Sequence, residues 1–444
     1  MSAVMKAPDV RDAYLASLAP DVHSLAGPGP EWLNALRAEA AACVNSQPYP
    51  TTQDEEWRFT DFGLLRKTAF ASAADISLEV SLADIEPFVL PESEKSRLVF
   101  VNGIYAPHLS ACAGLPQGVV ISNLAAGLPL HDAVIRTHLA QQVDFHNEAF
   151  AALNTSHIRD GALVLITKDT ACPAPIHLLF IATGADMPQA NYPRCLIIAD
   201  AGSTCALIED YVCLNQGVYF TSAVSEITLG ENAAVEHTRL QRESLSAFHM
   251  AYGAVALARG SNYTAHNIAF GARISRHDLR IKQNGEAAQC TLNGLALISG
   301  RQIADTHTVM DHTKPNGQST QLHKCIADGG AHAVFNGKIF VRKDAQHTNA
   351  AQQSRNLLLS NKARIDTKPQ LEIFADDVKC AHGATVSQLE TEEMFYLNSR
   401  GLDALTARNL LIYGFAEEIV DRIPVTSLIK QLSKTLSEQI LEHT

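Results

Sequence analysis

A thiol and an imidazole stand two residues apart in the run Asp376-Asp377-Val378-Lys379-Cys380-Ala381-His382-Gly383-Ala384-Thr385. In an extended strand, residues i and i+2 project from one face, so Cys380 and His382 would offer sulfur and nitrogen to one small volume. These are borderline-soft donors, suited to iron or zinc rather than magnesium or calcium. The competing reading is structural: a strand end with a buried cysteine and a hydrogen-bonded histidine.

The elements that must hold this pair differ along the chain. From about Ala162 to Lys379, short apolar or alternating runs recur between small turn residues, as in Leu163-Val164-Leu165-Ile166, Cys195-Leu196-Ile197-Ile198 and Val334-Phe335-Asn336-Gly337-Lys338-Ile339. Turns of similar chemistry, Ala201-Gly202-Ser203, Gly230-Glu231-Asn232, Arg259-Gly260-Ser261 and Asn284-Gly285-Glu286, fall roughly 25 to 30 residues apart, a solenoid spacing. A stacked parallel β-helix fits better than a sandwich, whose turns come every 8 to 12 residues or so.

Helical signals flank this stretch. Trp32 to Val44 reads as a helix beginning near Pro30, and Ala133 to Leu153 as another. Leu98 to Tyr105 reads as a strand turning at Asn102-Gly103. Past His382, Thr391-Glu392-Glu393 reads as a helix start and Gly401 as its end. Asp403 to Ile423, then Leu428, Leu432, Leu436 and Ile440, continue at helical spacing, and packing on the solenoid end is expected of part of that apolar surface. Eight histidines from His266 to His382 fall in the later solenoid, and most are expected to be surface or hydrogen-bonded turn residues.

The 444-residue chain is 46% apolar, enough for a large core, and its net charge of −12 argues against nucleic acid or an anionic membrane as partner. Its nine scattered cysteines, odd in number and without Cys-x-x-Cys, point to reduced thiols and a cytoplasmic setting. Residues Met1 to Asp9 lack the apolar core of a signal peptide, and no apolar run nears the roughly 18 to 20 residues of a membrane span. Phosphate-loop, dinucleotide, His-Glu-x-x-His and nucleophile-elbow motifs are all missing, which removes the commonest enzyme chemistries.

Several segments resemble the SufB/SufD family of iron–sulfur cluster assembly scaffolds. They are Pro50-Thr51-Thr52-Gln53-Asp54-Glu55-Glu56-Trp57-Arg58-Phe59-Thr60, Gly330 to Ile339, Asn356 to Ser360, Asp366-Thr367-Lys368-Pro369-Gln370-Leu371-Glu372-Ile373, the run through Thr385, and Phe395 to Gly401. The first of these is of the SufD kind, and the long cysteine-bearing insertion expected of SufB is not evident. The resemblance implies a largely helical region over 1–160, a right-handed parallel β-helix over 161–385 and a helical domain over 386–444. It implies a non-catalytic scaffold, joined to a SufB-like paralogue and two copies of a SufC-like ATPase.

Carried over by residue, His382 matches the histidine at the paralogue interface near the nascent cluster, and Cys380 the cysteine beside it. Ligation shared across that interface would be transient and incomplete on either chain. Gly383, Ala384, Thr385 and Val386 lie on the strand expected to pair with the paralogue, or with a second copy in a homodimer. Asn409, Leu410, Ile412, Tyr413, Phe415 and Ala416 lie on the helices expected to meet the ATPase. Some members are associated with reduced flavin, and no flavin pocket is legible here. Two other readings stay open: a carbohydrate-active β-helix enzyme, with Asp305 or Asp376-Asp377 as its carboxylates, and a SufB-like direct sulfur acceptor.

Overall fold

A computed structural model describes residues 10–20, 29–72, 80–184 and 187–442. The opening nine residues, on which the signal-peptide reading rests, lie outside the described residues.

Strand after strand alternates between two long sheets. One ends in Gln318–Ala327, Asn349–Leu358 and Lys379–Ser387; the other ends in Ile303–His312, His332–Val341 and Arg364–Ile373. Neighbouring strands from Arg194 onward are parallel and in strict register, so that Gln289, Gln318, Asn349 and Lys379 lie one above another. The result is the parallel β-solenoid that the turn spacing predicts. Gly202, Gly260, Gly300 and Gly329, all with positive φ, close successive rungs where a side chain would strain the backbone. Every second residue points inward. Leu207, Tyr263, Cys290 and Leu292 thus stack in one apolar core that runs from the first strands to Ala350.

The N-terminal third mixes helices with strands. Arg97–Val101 pairs in parallel with Ile176–Ala182, and Val119–Asn123 runs antiparallel to Ala162–Ile166, so this region supplies the first strands of both sheets. Their apolar runs are buried, which a surface helix could not achieve. The helix expected over Ala133 to Leu153 is two helices, Leu124–His138 and Ala149–Ser156. Between them the amides of Ala140, Gln142 and Val143 donate to the buried Glu226 carboxylate, which also pairs with the buried Arg194. A continuous helix would have consumed those amides. Helix Glu31–Ser46 and the turn at Asn102-Gly103, both with positive φ, form where the sequence indicates.

The C-terminal helices are Thr391–Ser399, Ala404–Val420 and Thr426–Glu442. Asp403 caps the second by accepting from the Thr406 amide. Their stripe of Ile412, Ala416, Ile419, Leu428, Leu432, Leu436 and Ile440 does not pack on the solenoid end. It covers the outward residues Ile208, Leu240, Ile268, Leu295 and Leu322 on the flank of one sheet. Those apolar residues face away from the solenoid interior and need a cover of their own, and the helices satisfy it. The end is left bare. None of the helices described is long and apolar enough to cross a membrane.

Candidate functional site

Both sheets stop at the same place. Lys379–Ser387 and Arg364–Ile373 are the terminal strands, each paired on one side only. Their outer edges carry unpaired backbone donors and acceptors, a template for another strand. Register sets Cys380 on Ala350, His382 on Gln352, Ala384 on Ser354 and Val386 on Asn356. All four residues beneath are buried. Cys380 and His382 therefore share the inward face of the last rung, at a mouth with no further rung over it.

The two side chains differ. Cys380 is half-buried and packs with Leu371 and Val378 on the end of the core. Burial pushes its thiol up, so the sulfur is protonated at neutral pH and gives up a proton to bind metal. His382 is exposed, and its side chain has no hydrogen-bond or ion-pair partner among the described residues. Gly383 leaves open space around its Cα, Val386 is 44% exposed, and Ile373 and Phe374 at the other end of the rung are exposed as well. Among the described residues no three His, Cys, Asp or Glu side chains gather as a metal site. Cys380 and His382 therefore stand as a pair of candidate donors that no third such side chain joins among the described residues.

Five of the remaining seven histidines depart from expectation, while His347 is the exposed, ion-paired turn residue expected. His266, His277, His307, His312 and His323 are buried in strands rather than set in surface turns. Three of them, His277, His312 and His323, line the solenoid interior, while His266 faces outward beneath the C-terminal helices; burial holds His266 and His312 at about 4 and His323 at about 3, uncharged at neutral pH. His307 points outward and does meet Asp305, two residues before it, at 2.9 Å. Arg276 also pairs with Asp305 at 2.6 Å. Asp305 is thus bound up in a buried ion-paired knot, and Asp377 is exposed and pairs with His347. Both acids are therefore engaged by cationic or imidazole partners of the chain.

That knot explains the segment Pro50 to Thr60. Thr60 donates to Asp305 at 2.6 Å, Glu56 faces His307 at 3.3 Å, and the Arg276 guanidinium stacks on Trp57 at 4.0 Å. Glu56 also reaches Lys338, and Glu55 bonds Lys368 at 2.8 Å. The segment clasps the outer face of the last rungs, just behind the mouth. Sequence reasoning matched this motif without seeing what it holds.

The helix residues divide by face. Ile412 and Ala416 are fully buried on the flank, and the Phe415 ring lies under Lys324. Leu410 is 51% exposed, with Asn409 and Tyr413 half-buried near it. Leu405, Phe395 and Tyr396 are also at least half exposed, whereas Tyr413 packs against the flank cluster. A helix cannot bury both faces on one sheet, so the six split in this way.

Sequence comparison now has a fold to attach to. A profile described as "SUF system FeS cluster assembly, SufBD core domain" matches residues 180–415, and one for the "SufBD protein N-terminal region" matches 11–178. The chain belongs to the SufBD family. An iron–sulfur cluster assembly SufBD family protein of Synechocystis is 44% identical, with 90% of each chain covered. The iron–sulfur cluster assembly protein SufD of Escherichia coli is 33% identical over 88% of this chain and 89% of its own. SufD of Bacillus subtilis is 26% identical over 93% and 94%. The SufBD core thus contains the whole mouth, and the N-terminal profile contains the clasp.

Proposed function

We propose that this chain is a non-catalytic scaffold subunit of the SUF iron–sulfur cluster assembly machinery. It joins a SufB-like paralogue through the edge strand Lys379–Ser387 and carries a SufC-like ATPase on its C-terminal helices. A nascent cluster is cargo, held at the joint by His382, with Cys380 beside it, and by donors of the paralogue. The observation that carries this reading is the bare solenoid mouth, where an uncovered sheet edge and two metal-type donors coincide in a SufBD core. The incomplete ligand set fits a cargo that must leave. The exposed side chains of Leu405, Leu410, Phe395 and Tyr396 are free of the flank packing and suit a partner.

The reading is tested by co-expressing this chain with a SufB-like and a SufC-like protein, sizing the complex, and measuring bound iron and sulfide. A complex of all three that retains both is the expected result. Val386→Pro should cost the paralogue, by removing an edge donor, and deletion of residues 403–444 should cost the ATPase. A chain that binds neither protein, or a complex that holds no iron, would overturn it.

A further inference from the structure

The stack beneath His382 changes character along the solenoid. In register behind it come Gln352, Gln321, Leu292 and Ala265. Leu292 and Ala265 are apolar, and His237, the next polar residue inward, is held separately by Glu209 and Tyr263. The last three rungs of the stack, Gln321, Gln352 and His382, are polar. They are held in sequence. Gln321 exchanges hydrogen bonds with the Thr308 hydroxyl at 2.9 and 3.1 Å, and its Oε1 accepts the Gln352 Nε2 at 2.9 Å. Gly337 makes the room, since a Cβ there would overlap the Gln352 amide nitrogen.

This chain of bonds uses the Gln352 amide on one side only. Gln352 is 1% exposed, yet its Oε1 is buried without a partner. An unmet buried acceptor costs about 1–3 kcal/mol, and native proteins rarely leave one without cause. The nitrogen is fixed toward the rung behind, so the oxygen is turned away from it. The next rung in register carries His382.

We infer that Gln352 is the positioning residue of His382. When the mouth is covered, Gln352 Oε1 accepts a hydrogen bond from one ring N–H of His382. That bond fixes the tautomer and leaves the other ring nitrogen, with its lone pair, facing the cargo iron. Metal-ligating histidines routinely use their second nitrogen in this way, and loss of the acceptor costs about 10- to 100-fold in metal affinity. The inference rests on the proposed cargo role of His382 and adds the group that orients it.

The test uses the full complex with both partner proteins, loaded with ferrous iron and sulfide. Gln352→Leu keeps the volume and removes the acceptor. Gln352→Glu keeps an acceptor, because Gln321 can turn its amide and donate to the new carboxylate. Iron retention is titrated against pH and a chelator, and nitrogen hyperfine coupling from histidine is read by pulsed paramagnetic resonance on the nitric oxide adduct of the bound ferrous iron, a half-integer-spin species. The expected result is at least about a tenfold loss of iron affinity and a weakened histidine coupling in Gln352→Leu. Gln352→Glu should recover both. Unchanged retention in Gln352→Leu, alongside a loss in His382→Ala, overturns the positioning role and leaves the site reading standing. No loss in His382→Ala overturns both. Equal loss in the Leu and Glu variants makes Gln352 structural and also overturns the inference.

Discussion

The middle of the solenoid and its mouth use inward positions in opposite ways. In the middle, Glu209 accepts from Tyr211 and Ser225 at 3.0 and 2.9 Å and faces His237 at 3.2 Å. Glu243 accepts from Thr221 and Gln241 at 2.8 and 3.0 Å and pairs with His249 at 2.6 Å, while Arg239 bonds that same histidine. These groups are buried charges that satisfy one another. At the mouth the Gln352 carbonyl and the Thr367 hydroxyl are buried without partners, and His382 is exposed without one, among the described residues. Both regions bury polar groups; those at the mouth lie beside a rung with no further rung over it.

The comparison breaks most easily in the middle. Arg239→Met leaves Glu209 and Glu243 short of a cation, and removing one member of a buried charge network costs about 3–5 kcal/mol. Urea unfolding should show that loss in the isolated chain, and a change below about 1 kcal/mol would mean the network is not held by charge. At the mouth the pattern should invert. His382→Ala should leave the urea midpoint within about 0.5 kcal/mol of the native chain, since no cavity or bond is lost. It should instead lower the iron and sulfide recovered with the complex several-fold. A native yield would return His382 to a structural role. Cys380→Ala should lower the yield less, because the raised thiol is a poorer donor at neutral pH; an effect larger than that of His382→Ala would reverse the ranking.

The smallest effect concerns the clasp behind the mouth. Burial pulls the His307 imidazole down, but the Asp305 carboxylate and the bonds to Asp305 and Glu56 outweigh it and raise its pKa. Its contribution is thus complete below the ordinary value of 6.5 and is lost as pH rises through the higher folded value. The His307 bond, opposed by partial burial and assisted by Lys338, holds Glu56 down at about 2. That contribution is present above the ordinary 4.5 and is lost as pH falls toward 2. Trp57 is one of two tryptophans and lies in the clasp. In a Trp32→Phe background its emission should stay constant between pH 5 and 6.5 and shift on the alkaline side. His307→Gln should abolish that alkaline limb, and a native chain without one would contradict the assignment.

Much of the scaffold was legible, because a recurrent turn and a period-two alternation survive in the sequence of any parallel solenoid. Cys380 and His382 were legible for the same reason: strand geometry alone puts i and i+2 on one face. Gln352 was not. In Ala350-Ala351-Gln352-Gln353-Ser354 nothing distinguishes the buried glutamine from the exposed one until the register with His382 is known. The helix expected over Ala133 to Leu153 failed through a similarly distant cause, the Glu226 carboxylate some 80 residues away along the chain. The five buried histidines were misplaced because their cover comes from other rungs and from distant segments, the clasp over His307 and the C-terminal helices over His266, which composition does not reveal.

The clasp also has a temporal side. Glu55 and Lys368 are 313 residues apart, and Thr60 and Asp305 are 245 apart. At synthesis rates of about 5–20 residues per second, the segment around Trp57 leaves the ribosome tens of seconds before its partners exist. Its aromatic surface is then unmatched, and contacts at such separation close late. Docking of this segment thus reports that the last rungs have been laid down. Nascent chains halted before residue 300 should show a solvent-exposed Trp57, and chains that include Lys368 a buried one.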